Sequence, residues 1–165
     1  MKRQSQMAAV VGCILLSGSA WAEPLTIKVV MSPKEQIYVD LPTAQKHFVL
    51  FVRREGKATG TGALNGAQLT EYGMHDIRPG VDGSPRGYLV GKLPSGDQIA
   101  IQWEVQATFI PGPDGKPRLL DNGVWRVVGG TGGFERAKGA GTMHIKAVSP
   151  QDREFSLEGE VISGQ

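Results

Sequence analysis

The sequence has little of what several common kinds of chemistry require. It contains one cysteine in 165 residues, and aromatic residues make up only 7% of the chain. A single cysteine excludes a disulfide framework and a multi-cysteine zinc site. The formal net charge is only +2, and no block of lysines or arginines occurs, so we expect no nucleic-acid partner. Hydrophobic residues make up 40% of the chain, which is typical of one globular domain at this length.

The N-terminus has the pattern of an export signal. Lys2 and Arg3 precede an apolar run at 7–16, and Ala20 and Ala22 then give the small-residue spacing that a signal peptidase reads. The run is too short to span a bilayer as a stable helix, which disfavours the alternative of an uncleaved anchor. We therefore predict a cleaved signal peptide at 1–22, a periplasmic or secreted protein, and no membrane association after cleavage.

A lipoprotein signal at Cys13 is a further alternative, but it would leave a short apolar run before the cysteine. Cleavage after Ala22 removes the only cysteine together with two basic residues. The remaining chain, 23–165, then carries equal numbers of basic and acidic residues. It has no thiol for catalysis, disulfide formation or metal binding.

The rest of the chain reads as short strands between glycine-rich turns. Residues 98–109 are apolar at every odd position, as a strand with one buried face requires, and 154–161 alternates in the same way. We predict that 46–54 is a strand covered on both faces and that 56–66 is a mobile loop or flap. The predicted strands are 25–31, 36–41, 46–54, 67–77, 86–93, 98–109, 118–128, 140–148 and 154–161.

Eight or nine antiparallel strands favour an all-β fold, a small closed antiparallel β-barrel of about eight strands. Turn sequences at 94–97 and 113–116 join consecutive strands and predict hairpins. Closure removes exposed sheet edges, which favours a barrel over the alternative of a two-sheet sandwich. No composition shift divides the chain, so we predict a single domain over 23–165.

One segment is specific enough to suggest a family. Residues 129–142 read GGTGGFERAKGAGT, which resembles the GGTG-x-F-x-x-A-x-G-x-G-T stretch of the dirigent and allene oxide cyclase-like barrels. The chain thus looks like a bacterial exported member of that family. The resemblance implies an eight-stranded barrel, a trimer of identical chains, an apolar small molecule in the lumen, and no metal or redox cofactor. We carry over no active-site residue from it.

Candidates for proton transfer come from the strand patterns alone. Glu71, Gly73 and His75 share one face of a predicted strand, so a carboxylate and an imidazole could work as an acid–base pair if that face is inside. If both point to solvent, the pair has no such role. Glu104 is a third catalytic candidate if it faces the lumen. The alternative places Glu104 outside, because Ile101 and Val105 would fill the barrel.

Candidates for contacting a ligand are Tyr72, Trp103, Asp121 and Trp125. Asp121 shares a strand face with Trp125, which would put a carboxylate near an aromatic wall. The tryptophans are first of all core residues. The three histidines are widely separated and show no ligand spacing, so we predict no metal site.

We therefore expect an exported barrel that binds an apolar or aromatic small molecule in its lumen. The alternative is a cofactor-free cyclase or isomerase that steers a reactive intermediate, and a third possibility is a structural protein with a filled barrel. The sequence does not decide whether the protein is an enzyme. An inward-facing Glu71–His75 pair would favour catalysis.

Overall fold

The computed structural model describes residues 22–163, and ten β-strands account for most of them. One short 3-10 turn, Gly132–Phe134, precedes β9. The strands are β1 Glu23–Asp40, β2 Phe48–Lys57, β3 Thr59–Thr61, β4 Gln68–Arg78, β5 Asp82–Gly83, β6 Arg86–Lys92, β7 Gln98–Pro111, β8 Pro117–Gly130, β9 Lys138–Ala147 and β10 Arg153–Ile162. The signal segment predicted at 1–22 lies, except for Ala22, outside the described residues.

Eight of these strands close into an antiparallel barrel, which confirms the predicted fold. Each strand pairs with the next around the barrel in the order β1, β2, β4, β6, β7, β8, β9 and β10, and β10 returns to pair with β1. The short β3 and β5 are additional strands at its two ends. Among the described residues no helix is long and apolar enough to cross a membrane.

Strand β1 takes part in three pairings along its 18 residues, one of them with the short β3. Its first half pairs with β10 and its second half pairs with β2, with a register shift between Pro33 and Glu35. The segments predicted as two strands at 25–31 and 36–41 are therefore one long bent strand. The bend lets a single strand complete the barrel wall and extend beyond it.

The barrel interior is apolar at its lower end, where the β2–β4 and β8–β9 connections lie. Phe134 and Leu64 are buried there against the inward side chains of β4 and β7. The alternation in β7 is as predicted, since Ile101, Trp103 and Val105 all face inward. The lower end is thus closed by packed side chains, and the upper end carries the polar residues described below.

Two expectations about local structure are wrong. The segment 56–66 is not a simple loop, because it contains β3, and Ala58 and Leu64 are completely buried as part of the lower core. Strand β2 is not covered on both faces, because the outward-facing Phe51 is 46% exposed. The first error arises because two apolar side chains among many glycines give no periodic pattern.

Candidate functional site

The upper half of the lumen contains a buried ion pair with a histidine. Glu71 and His75 lie on β4 and both point into the barrel, with Gly73 between them. The Glu71 side chain is completely buried, and His75 Nε2 lies 3.0 Å from Glu71 Oε1. A Cβ on Gly73 would lie 2.4 Å from Glu71 Oε1 and 2.9 Å from His75 Nε2. The absence of a side chain at this position is what lets the two groups meet.

Arg54 of β2 provides the positive charge for this pair. It is the register partner of Glu71 across the β2–β4 ladder, and its Nη1 donates to Glu71 Oε2 at 2.8 Å. Arg54 is buried, so its guanidinium and the Glu71 carboxylate interact with each other in place of water. A buried ion pair of this kind keeps both groups in the interior only while both partners are present.

The Nε2 atom of His75 has two polar neighbours. It lies 3.0 Å from Glu71 Oε1 and 3.2 Å from Arg54 Nη1. One nitrogen cannot both donate to the carboxylate and accept from the guanidinium, so the tautomer decides which bond forms. A proton on Nε2 satisfies the Glu71 carboxylate and leaves Nδ1 with a free lone pair.

Aromatic rings form the wall next to His75. The Trp103 ring centroid on β7 lies 5.8 Å from that of His75, and the Phe155 ring on β10 packs edge-on against Trp103 at 5.9 Å. Trp125 on β8 is also buried, and its Nε1 donates to the backbone carbonyl of Glu158 at 3.2 Å. Both tryptophans proposed as ligand contacts therefore face the interior.

Asp121 of β8 and Arg153 of β10 add two further charges near this level of the barrel. Asp121 is only 6% exposed, and burial raises the pKa of its carboxyl to about 6, although the Arg153 charge opposes the shift. Burial and the like charge of Arg54 lower the pKa of Arg153. Arg153 Nη1 donates to the carbonyls of Ser149 and Asp152, which fixes it at the upper mouth.

Two sequence candidates lie outside the lumen. Glu104 is exposed on the outer face of β7, because Trp103 and Val105 on either side of it point inward. Tyr72 is 52% exposed on the outer face of β4, since it alternates with Glu71 and must face the opposite way. The structure thus separates both residues from the Glu71–His75 pair. Tyr72 instead lines an outer groove of about 650 Å³ with Phe51 and Tyr88.

Sequence reasoning missed Arg54 and Arg153. Each alternates with an inward apolar neighbour, Val52 in β2 and Phe155 in β10, so the strand period places both on the inner face. That signal was available, but the tandem Arg53–Arg54 resembles an ordinary charged strand end. Within residues 22–163, no three His, Asp or Glu side chains come together in an arrangement that could hold a metal ion.

Among the solved structures that resemble this fold are two that align with most of this chain. One is a pterocarpan synthase dirigent protein, 12% identical, with a TM-score of 0.52 over 98% of this chain and 100% of that chain. The other is a protein of unknown function from Clostridium acetobutylicum ATCC 824, 9% identical, with a TM-score of 0.52 over 84% of this chain and 97% of that chain. No family model and no curated protein matches the sequence. The chain folds as a dirigent-like barrel.

Proposed function

We propose that the protein binds an apolar or aromatic small molecule in the upper lumen and moves a proton on it, as a cofactor-free isomerase or cyclase. The observation that carries the proposal is the Glu71–His75 pair on the inner wall. Fold likeness supports only the architecture, because one barrel hosts many activities.

The three residues divide the chemistry between them. Glu71 is completely buried and contacts His75 and Arg54, so it orients the imidazole and balances the charge that forms on it. His75, at 8% exposed, is the most accessible member of the trio. With Nε2–H donated to Glu71, the Nδ1 lone pair is the base that accepts a proton from the ligand and returns it at another atom. Arg54 keeps the Glu71 charge paired in the interior.

Binding without chemistry is the second candidate, because the Trp103 and Phe155 rings give the lumen an aromatic wall whether or not a proton moves. The two candidates share a ligand site and differ only in what His75 does. A variant that keeps the wall and removes the base separates them.

The test begins with native mass spectrometry of the full chain purified from its own source, to find a retained small molecule. That molecule is then incubated in D₂O with wild type and with His75→Gln. We expect wild type to exchange or isomerise it, and His75→Gln to lose this by about 10²-fold or more while still binding it. Glu104→Gln on the outer face is the matched control and should behave as wild type.

No exchange or isomerisation by wild type would leave binding as the function, whereas wild-type turnover in His75→Gln would contradict the role of His75 as the base. If no ligand is retained and wild type binds neither naphthalene nor 2-naphthol, the lumen is not a ligand site and the whole proposal fails.

Export is part of the same proposal and rests on the signal pattern at 1–22. Mature protein recovered from the periplasm or medium should begin at Glu23, as read by N-terminal sequencing. Intact Met1 on the recovered protein would contradict cleavage, and a lipid on Cys13 would support the lipoprotein alternative.

A further inference from the structure

The second half of β1 has a long unpaired edge. Residues 23–31 of this strand pair with β10, whereas residues 32–40 pair only with β2. Among residues 22–163, no strand pairs with the other edge of 32–40, because β10 begins at Arg153, opposite Met31. Nine extended residues span about 30 Å. The barrel wall is therefore open to a further strand along this length.

Alternate residues direct their backbone groups to this open edge. Leu41 N donates to His47 O at 2.8 Å, which fixes the phase of the β1–β2 ladder. In an antiparallel pair every second residue bonds to the same neighbour, so Ile37 bonds to β2 as Leu41 does. Gln36 and Tyr38 therefore direct their N–H and C=O groups away from β2 and into solvent.

The side chains along this edge are apolar at its centre and charged at its ends. Ile37 is 66% exposed, Tyr38 47% and Val39 40%, and all three residue types favour strands. Lys34 and Asp40 flank them with opposite charges, and neither forms an ion pair among the described residues. An edge that is protected from pairing carries charge at its centre, and this one does not.

The sequence of the edge is complementary to itself. When two copies pair antiparallel about a two-fold axis at Ile37, Gln36 of each lies opposite Tyr38 of the other, so that the free backbone groups meet. The same register puts Lys34 of each copy opposite Asp40 of the other and makes two ion pairs. An axis at Gln36 or at Tyr38 also matches the backbone groups but gives neither ion pair. Charge thus selects a second copy as the occupant and one register for it.

The overlap fits the length of the open edge. The paired segment 34–40 takes seven of the nine unpaired residues, and Ser32 and Pro33 separate it from the end of β10. Pro33 has no N–H and precedes the register shift in β1, so the new pairing ends there. On the outer face the two Ile37 side chains meet at the axis, each beside Phe51 of its own β2. The contact therefore joins the apolar outer faces of the two barrels.

We propose that this edge forms a homodimer, in which residues 34–40 of two copies pair antiparallel and join the two barrel walls into one sheet. The dimer is a separate property from the lumen chemistry and does not depend on it. It also differs from the trimer that the family resemblance implies, because a contact between identical edges closes at two copies.

The test measures the assembly of the full chain, purified from its own source, by sedimentation velocity over a concentration series. Wild type should show a monomer–dimer equilibrium. Lys34→Glu puts like charges opposite each other at both ends of the overlap and should weaken the dimer about tenfold or more. Adding Asp40→Lys to Lys34→Glu restores opposite charges and should return the dissociation constant to within about threefold of wild type. Lys57→Glu, at the exposed lower end of β2, is the matched control and should dimerise as wild type does.

Backbone amide exchange reports on the edge itself. Above the dissociation constant, the Gln36 and Tyr38 amides should exchange about tenfold or more slowly than they do far below it. The Ile37 amide bonds to β2 within one copy, so its exchange should depend little on concentration. In Lys34→Glu, the Gln36 and Tyr38 amides should stay fast at the concentration that protects them in wild type.

A wild-type chain that is monomeric at every concentration would overturn the proposal. A trimer, or a dimer whose Gln36 and Tyr38 amides stay fast, would place the contact elsewhere and would overturn it as well. Failure of the double variant to recover the dimer would contradict the register on which the proposal rests. None of these outcomes bears on the lumen, where the retained ligand and the His75→Gln exchange decide the proposed function.

Discussion

At the scale of single residues, the buried pair depends on Gly73. We predict that Gly73→Ala lowers the free energy of unfolding by about 1–3 kcal/mol and separates His75 from Glu71. The added methyl group would lie 2.4 Å from Glu71 Oε1, and Glu71 cannot move away freely because Arg54 holds its other oxygen. Urea denaturation measures the stability, and the imidazole resonances of His75 report its contact.

Gly129 offers a matched control, because a Cβ there meets no atom within 4 Å. Gly129→Ala should change the stability by no more than about 0.5 kcal/mol. Equal losses in the two variants would mean that the cost at Gly73 is a general effect of replacing a strand glycine, and not a property of the buried pair.

Asp121 makes the free energy of unfolding depend on pH, and the direction of this dependence follows from the burial of its carboxyl. Its pKa is raised from an ordinary 3.8 to about 6, so between these values the folded state keeps a proton that the unfolded state has lost. Stability from this group is therefore present at pH 4 and lost as the pH rises through 6. We predict that Asp121→Asn, measured against wild type by urea denaturation, gains up to about 3 kcal/mol between pH 4 and pH 7.

Glu104→Gln removes a carboxyl from the outer face and controls for the change in overall charge. A difference between Asp121→Asn and wild type that stays constant from pH 4 to pH 7 would contradict the raised pKa.

The residues of the site differ in how readily the sequence alone identifies them. Glu71 and His75 are separated by four positions on one strand, so the period of two puts them on the same face without any knowledge of the fold. Arg54 joins them only through the β2–β4 register, which pairs residues 17 positions apart. The nearness of Asp121 and Arg153 to this trio depends on barrel closure, which local pattern does not encode.

At the scale of elements, the alternation of apolar and polar residues predicted strands well wherever one face of the strand is buried and the other is exposed to solvent. Strand β7 is the clearest case, and its predicted and observed starts coincide at Gln98. The alternation did not predict the extent of β1, because a register shift at Pro33 joins two apparent strands into one. The alternation also failed at 56–66, where Leu64 is buried by packing against residues distant in the sequence and belongs to no periodic apolar pattern.

The glycine-rich segment at 129–142 is explained by the turn that it builds. Gly132 has a positive φ of 57°, and a Cβ there would lie 2.0 Å from Asp97 Oδ1, so this backbone requires glycine. Phe134 follows in the 3-10 turn and is buried in the lower core. The segment connects β8 to β9 and helps to close the lower end of the barrel. This structural role explains why the segment marks the fold, and we assign it no catalytic role.

At the scale of the whole molecule, the local strand patterns do not decide between a closed barrel and a two-sheet sandwich. Only the pairing that closes the sheet decides it. The deciding contact joins the two ends of the described chain, where β1 and β10 pair in a continuous register from Glu23 with Val161 to Met31 with Arg153. Closure also sets the outer surface, because the strand faces that do not line the lumen must point outward. Several of those outward residues are apolar.

The outer apolar face leads to a prediction about assembly. Ile37, Phe51, Tyr72 and Tyr88 are each about half exposed or more around the groove between β1 and β6. Monomeric proteins rarely expose a large contiguous apolar patch, so we propose that copies of this chain cover it in a homo-oligomer. Sedimentation velocity should show an oligomer for wild type and a monomer for Phe51→Asp. The control Val148→Asp, equally exposed but outside the groove, should remain oligomeric, and a monomeric wild type would contradict the proposal.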